Sequence, residues 1–185
     1  MIGVQELRKG TTFIEDNELW RVLEYAHIKS GRGNATIRVK VRNLRSGGTM
    51  EKTYPSGSRV QDIRLDHATV QYLYHDGDIY YFMNTETYEQ PALGTNLLGD
   101  AVHYLTDGMM LELESYEGES INIELPTTVD LEVMQTDPGF AGDTATNATK
   151  PATVSTGLQV QVPLFVNIGD KIRIDTRTGQ YLTRI

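Results

Sequence analysis

A chain of 185 residues, 39% of them apolar, is enough for one domain of ordinary size or two or three small ones. The absence of cysteine excludes disulfides, thiolate catalysis and cysteine-ligated zinc, and nothing approaches the ~18 unbroken apolar residues of a membrane helix. The net charge of −8 argues against a general affinity for nucleic acid, but it hides an asymmetry: residues 1–62 carry eleven Lys/Arg against seven Asp/Glu, residues 63–126 one against twelve, and residues 127–185 five against six.

Period-two alternation, the mark of half-buried strands, dominates the chain. In the strand expected over Leu19–Tyr25, Leu19, Arg21 and Leu23 point one way and Trp20, Val22 and Glu24 the other. Residues Lys29 to Asn34 follow as a hairpin tip. In the next strand, Ala35–Leu44, Ile37, Val39 and Val41 form an apolar face and Arg38, Lys40 and Arg42 a basic one. A seam at Pro55, Ser56, Gly57 and Ser58 closes this cluster just before the charge balance reverses. Three turn dipeptides then mark hairpins. Asp76 and Gly77 separate Val70–Tyr74 from Ile79–Phe82, Glu117 and Gly118 separate Met110–Glu114 from Ile121–Leu125, and Thr178 and Gly179 separate Lys171–Ile174 from Tyr181–Ile185. One short stretch, Asn96–Leu105, is expected to be helical. A second seam at Pro126, Thr127 and Thr128 precedes the alternating Val129, Leu131 and Val133. The pattern predicts an all-β chain of three small β-barrels in series, over 1–63, 64–127 and 128–185. The Gly- and Thr-rich segment Asp137–Lys150 is long for a connection; such segments are either functional loops or disordered tips.

The tip holds Lys29, Ser30, Gly31, Arg32, Gly33 and Asn34. Glycines on both sides of Arg32 remove steric bulk and permit positive φ, so the tip is narrow and its cation projects. Such a finger suits insertion into a crowded, negatively charged channel. No dinucleotide fingerprint is present, because no helix follows Gly33 to receive a phosphate.

Catalytic constellations are missing. Ser30 has His27 nearby in sequence, but no strand-to-helix elbow presents a nucleophile. The four histidines, His27, His67, His75 and His103, lack ligand spacing, so neither a metal nor a cofactor is expected. Two other classes make distinct demands. A single-strand nucleic-acid binder needs aromatic platforms in a positive groove, whereas the tyrosine-rich middle here is acidic. An enzyme working between barrels needs titratable groups converging in one cleft. The opening MIGVQELRKG lacks the apolar core of a signal peptide, so a cytoplasmic chain is expected.

One further set of residues bears on identity. Lys150, Pro151 and Ala152 are followed at fixed intervals by Gly157, Val160, Gln161, Val162, Pro163, Val166 and Gly169. Tyr72–Gly77, Phe82–Gln90, Thr136–Gly139, Gly142–Thr144, Met50–Thr53 and Asp175–Gly179 add further blocks. With these blocks the chain resembles the bacterial elongation factor P family along its whole length. The resemblance implies an SH3-like barrel followed by two OB-type barrels in an L-shaped outline. It implies a monomeric, non-enzymatic factor with neither membrane nor cofactor, whose partners are the 70S ribosome and P-site peptidyl-tRNA. Its task would be to promote peptide bond formation at stalling sequences such as consecutive prolines. Arg32 would meet the tRNA acceptor end, and Arg38, Lys40 and Arg42 would face RNA. Gly142, Asp143 and Thr144 would approach the E-site codon.

The sequence also departs from the family. Many members carry at the apex a lysine that is extended by aminoacylation, and a proline where Ser30 stands here. A guanidinium stays protonated in proteins and cannot serve as the amine nucleophile. Arg32 is therefore either rhamnosylated by a modifying enzyme or unmodified.

Overall fold

The computed structural model describes residues 1–29, 31–139 and 148–185, which form three antiparallel sheets joined in series. The first holds β1 (Ile2–Gly3), β2 (Thr12–Glu15), β3 (Glu18–Ile28), β4 (Thr36–Asn43), β5 (Thr49–Pro55) and β6 (Arg59–Asp62), ordered β1-β6-β2-β3-β4-β5. The second holds β7 (Asp66–Asp76), β8 (Ile79–Asn84), β9 (Ala92–Gly94), β10 (Met110–Tyr116) and β11 (Glu119–Glu124), ordered β11-β10-β7-β8-β9. The third holds β12 (Thr128–Thr136), β13 (Thr149–Val154), β14 (Gln159–Pro163), β15 (Lys171–Asp175) and β16 (Tyr181–Arg184), ordered β14-β13-β12-β15-β16. Each sheet carries its own buried apolar cluster. One of the three sheets closes as a barrel, a second forms a half-barrel and the third stays open, so the expectation of three closed barrels is met in part within an all-β chain.

Alternation built the strands as predicted where one face alone is buried. Ile37, Val39 and Val41 are fully buried while Arg38 and Lys40 between them are exposed. The rule failed at the start of β3, where Leu19 and Trp20 are both buried. Trp20 faces the first sheet's own core, whereas Leu19 packs with Leu44 and with Ile121 of the second sheet. A bulge between Val22 and Glu24 then resets the register.

Turn chemistry explains the hairpins. Glu117 (φ 48°) and Gly118 (φ 83°) form a two-residue turn with both central residues left-handed, which matches the twist of β10 and β11. Asp16 (φ 52°) and Asn17 (φ 62°) do the same between β2 and β3 without any glycine. Between β7 and β8 the central residues are Gly77 and Asp78, one position beyond the expected dipeptide. The predicted helix over Asn96–Leu105 becomes a single turn, α1 (Thr95–Leu98), followed by a 3-10 segment, Gly99–Tyr104. The change falls at Gly99, whose φ of 55° no α-helix accepts.

Two junctions tie the sheets together. Between the first and second, Arg21 Nη2 meets Glu114 Oε2 at 2.7 Å and Arg45 Nε meets Glu119 Oε1 at 3.1 Å. Arg42 Nη2 donates to the carbonyl of Leu97 at 3.0 Å. Around these polar contacts Leu19, Leu44 and Ile121 form a small apolar cluster with Ile14, Ile63, Leu65 and Tyr116. Part of the charge asymmetry therefore has an internal purpose: arginines of the basic third hold carboxylates of the acidic middle. Between the second and third sheets, Tyr104 leaves the 3-10 segment and joins the third core.

Candidate RNA-contacting tip and its basic ribbon

The β3–β4 ribbon carries the tip, and its outer face decides which cations are free to meet a ligand. Most basic side chains of the first third are already engaged. Arg21, Arg42 and Arg45 hold the second sheet; Arg8 donates to the carbonyls of Gln5 and Leu7; Arg59 donates to that of Met1. Lys52 pairs with Glu15 and lies 4.5 Å above the Trp20 ring, sealing the core with Tyr54, whose hydroxyl donates to Glu15 Oε2 at 3.0 Å. Burial and the Glu15 carboxylate push the Tyr54 hydroxyl above the ordinary phenol range.

Among the described residues of the first third, Lys9, Lys29, Arg32 and Arg38 have neither an ion pair nor a hydrogen-bond acceptor for their side chains. Three of these four stand on the ribbon or its tip. Arg32, Gly31, Gly33 and Asn34 are all exposed, as is Lys29; Ser30 lies outside the described residues. Gly31 alone of the two flanking glycines uses a left-handed backbone, at φ 42°.

The predicted basic strand face is not uniform. Arg38 stands in register between Ala26 and Thr53, with no carboxylate opposite it. Lys40 stands between Glu24 and Glu51, and Glu24 Oε1 is 4.0 Å from its Nζ. Arg42 is half-buried and opposite Arg21, with one donor spent on Leu97. Cross-strand neighbours of opposite sign offset Lys40, so Arg38 contributes most of the outward field.

The far loop is fixed at its feet. Gly142, Asp143 and Thr144 lie outside the described residues, but the segments on either side do not. Lys150, buried, donates from Nζ to the Asp137 carbonyl at 2.6 Å, and Thr136 Oγ1 donates to the Pro151 carbonyl at 3.0 Å. A Cβ at Gly139 would stand 2.1 Å from the carbonyl oxygen of Leu164, so only glycine fits there.

Two clusters that sequence reasoning missed depend on distant residues. His67, Glu114 and Glu124 bring ligand atoms within 4.8 Å of one another, but Arg21 already occupies Glu114 and opposes a second cation. A cleft between the second and third sheets is lined by Tyr72, His75, Tyr80, Asp107 and Ser155 among others. Its His, Asp and Ser do not form a relay. His75 Nδ1 lies against the Gly77 carbonyl at 3.3 Å and its ring stacks on Tyr80, and no hydrogen bond joins it to Asp107 or Ser155.

An all-β chain in which three of the first third's four unpaired cations stand on one ribbon or its tip fits the class of binding and positioning factors. Comparison with known proteins narrows that class. Residues 3–60 match the Elongation factor P (EF-P) KOW-like domain, 65–123 the Elongation factor P (EF-P) OB domain, and 129–184 Elongation factor P, C-terminal. The chain is 47% identical to elongation factor P of Thermoanaerobacter sp. (strain X514) and 46% identical to that of Acetivibrio thermocellus, over all 185 residues and the whole of each relative. Its fold is similar to that of eukaryotic translation initiation factor 5A from Methanococcus jannaschii, with a TM-score of 0.54 and 23% identity over 66% of this chain and 90% of the other. The chain belongs to the elongation factor P family, whose members are translation factors without catalytic chemistry of their own. No helix among the described residues is long and apolar enough to cross a membrane.

Proposed function

We propose that the chain binds the 70S ribosome beside P-site peptidyl-tRNA and promotes peptide bond formation at stalling sequences such as consecutive prolines, by positioning rather than by chemistry. In this reading the three sheets act as an SH3-like barrel over 1–63 and two OB-type barrels over 64–127 and 128–185, set in an L. The observation that carries it is Arg32: an exposed guanidinium in the turn between β3 and β4, with no internal partner among the described residues. Proline fixes φ and restricts the residue before it, so a run of prolines presents a poor attack geometry. A cation that pairs with the backbone of the tRNA acceptor end holds the ester where the incoming amine can reach it. Good alignment of this kind is worth several factors of ten in rate. Gly142, Asp143 and Thr144 would approach the E-site codon from the far end. Arg32 is equally open to a modifying enzyme, and a rhamnosyl group there would extend the same finger.

The test is reconstituted translation of a reporter with a run of prolines. Adding the protein should raise full-length product from that reporter and leave a proline-free control unchanged. Equal yields with and without the protein would refute the proposal.

The ribbon face gives a second, graded expectation. Arg38→Gln should weaken ribosome binding and lower the salt slope by about one released counterion, as for loss of one phosphate contact. Lys40→Gln should change both less, because Glu24 and Glu51 already offset its charge. Equal effects at the two positions in a salt titration would remove Arg38 from its special place.

A further inference from the structure

The cleft between the second and third sheets has the chemistry of a cation site. It encloses about 380 Å³, within the range of ligand pockets. Tyr72 lines this cleft from the second sheet, and among the described residues nothing hydrogen-bonds its hydroxyl. Tyr80 stacks beside it, ring centroids 6.0 Å apart, and His75 stacks on Tyr80 at 5.0 Å. Burial, Tyr80 and Asp107 together push the Tyr72 hydroxyl above its ordinary range, so the Asp107 carboxylate lies near enough to act on it.

The two walls come from different sheets. Asp107 belongs to the segment before β10, whereas Ser155 and Thr156 belong to the turn between β13 and β14. Thr156 Oγ1 donates to the carbonyl of His103, which holds that turn against the 3-10 segment. Phenol and hydroxyl oxygens and a carboxylate together favour a positively charged donor and disfavour an anion. Val102 and Leu105 supply an apolar wall for an aliphatic stem.

We propose that this cleft binds a lysine or arginine side chain presented by a basic polypeptide. The surrounding residues 63–126, with twelve Asp/Glu against one Arg, steer a polycation toward it. The site is independent of Arg32 and works whether or not the tip acts on tRNA.

The test uses the full chain and a fluorescent, end-blocked hexa-arginine peptide, followed by anisotropy. Asp107→Asn should weaken binding by about tenfold, as for loss of one charge-assisted hydrogen bond, and Tyr72→Phe severalfold without loss of the ring's packing. Glu86→Gln, an exposed carboxylate away from the cleft, should change it less than about twofold. Thermal melts of all three variants should match the parent. Three results would overturn the proposal. Glu86→Gln could weaken binding as much as Asp107→Asn, which is diffuse attraction. Free Nα-acetyl-arginine methylamide could bind as tightly as the peptide, which denies a polypeptide partner. A labelled oligouridylate, with no peptide present, could bind the parent and lose that binding in Tyr72→Phe, which assigns the cleft to RNA.

Discussion

Arg32→Ala should leave the fold and melting behaviour unchanged, reduce ribosome binding modestly, and cut synthesis through a proline run by at least about tenfold. The stability expectation follows from exposure: surface substitutions away from caps, cores and networks seldom matter. The activity expectation follows from what the side chain does not do within its own molecule. Since Arg32 has no acceptor among the described residues, its donors are available for an outside partner. One charge-assisted hydrogen bond lost from an aligned complex costs a factor of ten or more in rate. Arg32→Lys keeps the charge but loses the planar fork, so intermediate activity is expected. Product yield on proline-rich and proline-free reporters separates this from a general defect in translation. Full activity of Arg32→Ala would sink the role given to the tip, while leaving the family membership untouched.

The features that could be read from sequence are those fixed by near neighbours. The alternation in β4 requires only one buried face, and Ile37, Val39 and Val41 obey it. The residues expected at the hairpin tip, Gly31 to Asn34, are exposed, as a turn between two strands requires. What could not be read depends on partners far along the chain. Leu19 broke the alternation because its other face is covered by Ile121. Arg21 and Glu114, 93 residues apart, carry no pattern that predicts their pairing. The basic face lost uniformity for the same reason: Glu24 and Glu51 meet Lys40 only once β3, β4 and β5 lie side by side. The cleft is harder still, since His103 and Thr156, 53 residues apart, must meet before its walls exist. Asp16 and Asn17 were missed for a local reason. A left-handed pair without glycine is uncommon, and the strand before it is only four residues long.

Glu114→Ala should have the largest effect on stability, and it also tests how the tip is aimed. The Glu114 side chain is 9% exposed and that of Arg21 23%, so this pair is far drier than Arg173–Asp130 at 44% and 43%. Removing one partner of a buried pair leaves an uncompensated charge and costs about 3 kcal/mol, whereas an exposed pair is worth about 1 kcal/mol or less. Arg21→Met combined with Glu114→Leu should recover most of the loss, because well-packed apolar groups can replace a buried pair. Denaturation midpoints of the two single variants and the double variant, with Asp130→Ala as the exposed control, measure this. Hydrogen exchange at Leu44 and Ile121 should quicken in the single variant, since those residues form the apolar cluster beside the pair. Activity supplies the link to function. With the first sheet loosened from the second, Arg32 is intact but no longer held at a fixed angle to the rest of the chain. Relief of proline stalling should then fall in Glu114→Ala and return in the double variant. If Glu114→Ala proves as stable and as active as the parent, the junction does not hold the two sheets, and the aim of the tip must be set by the ribosome instead.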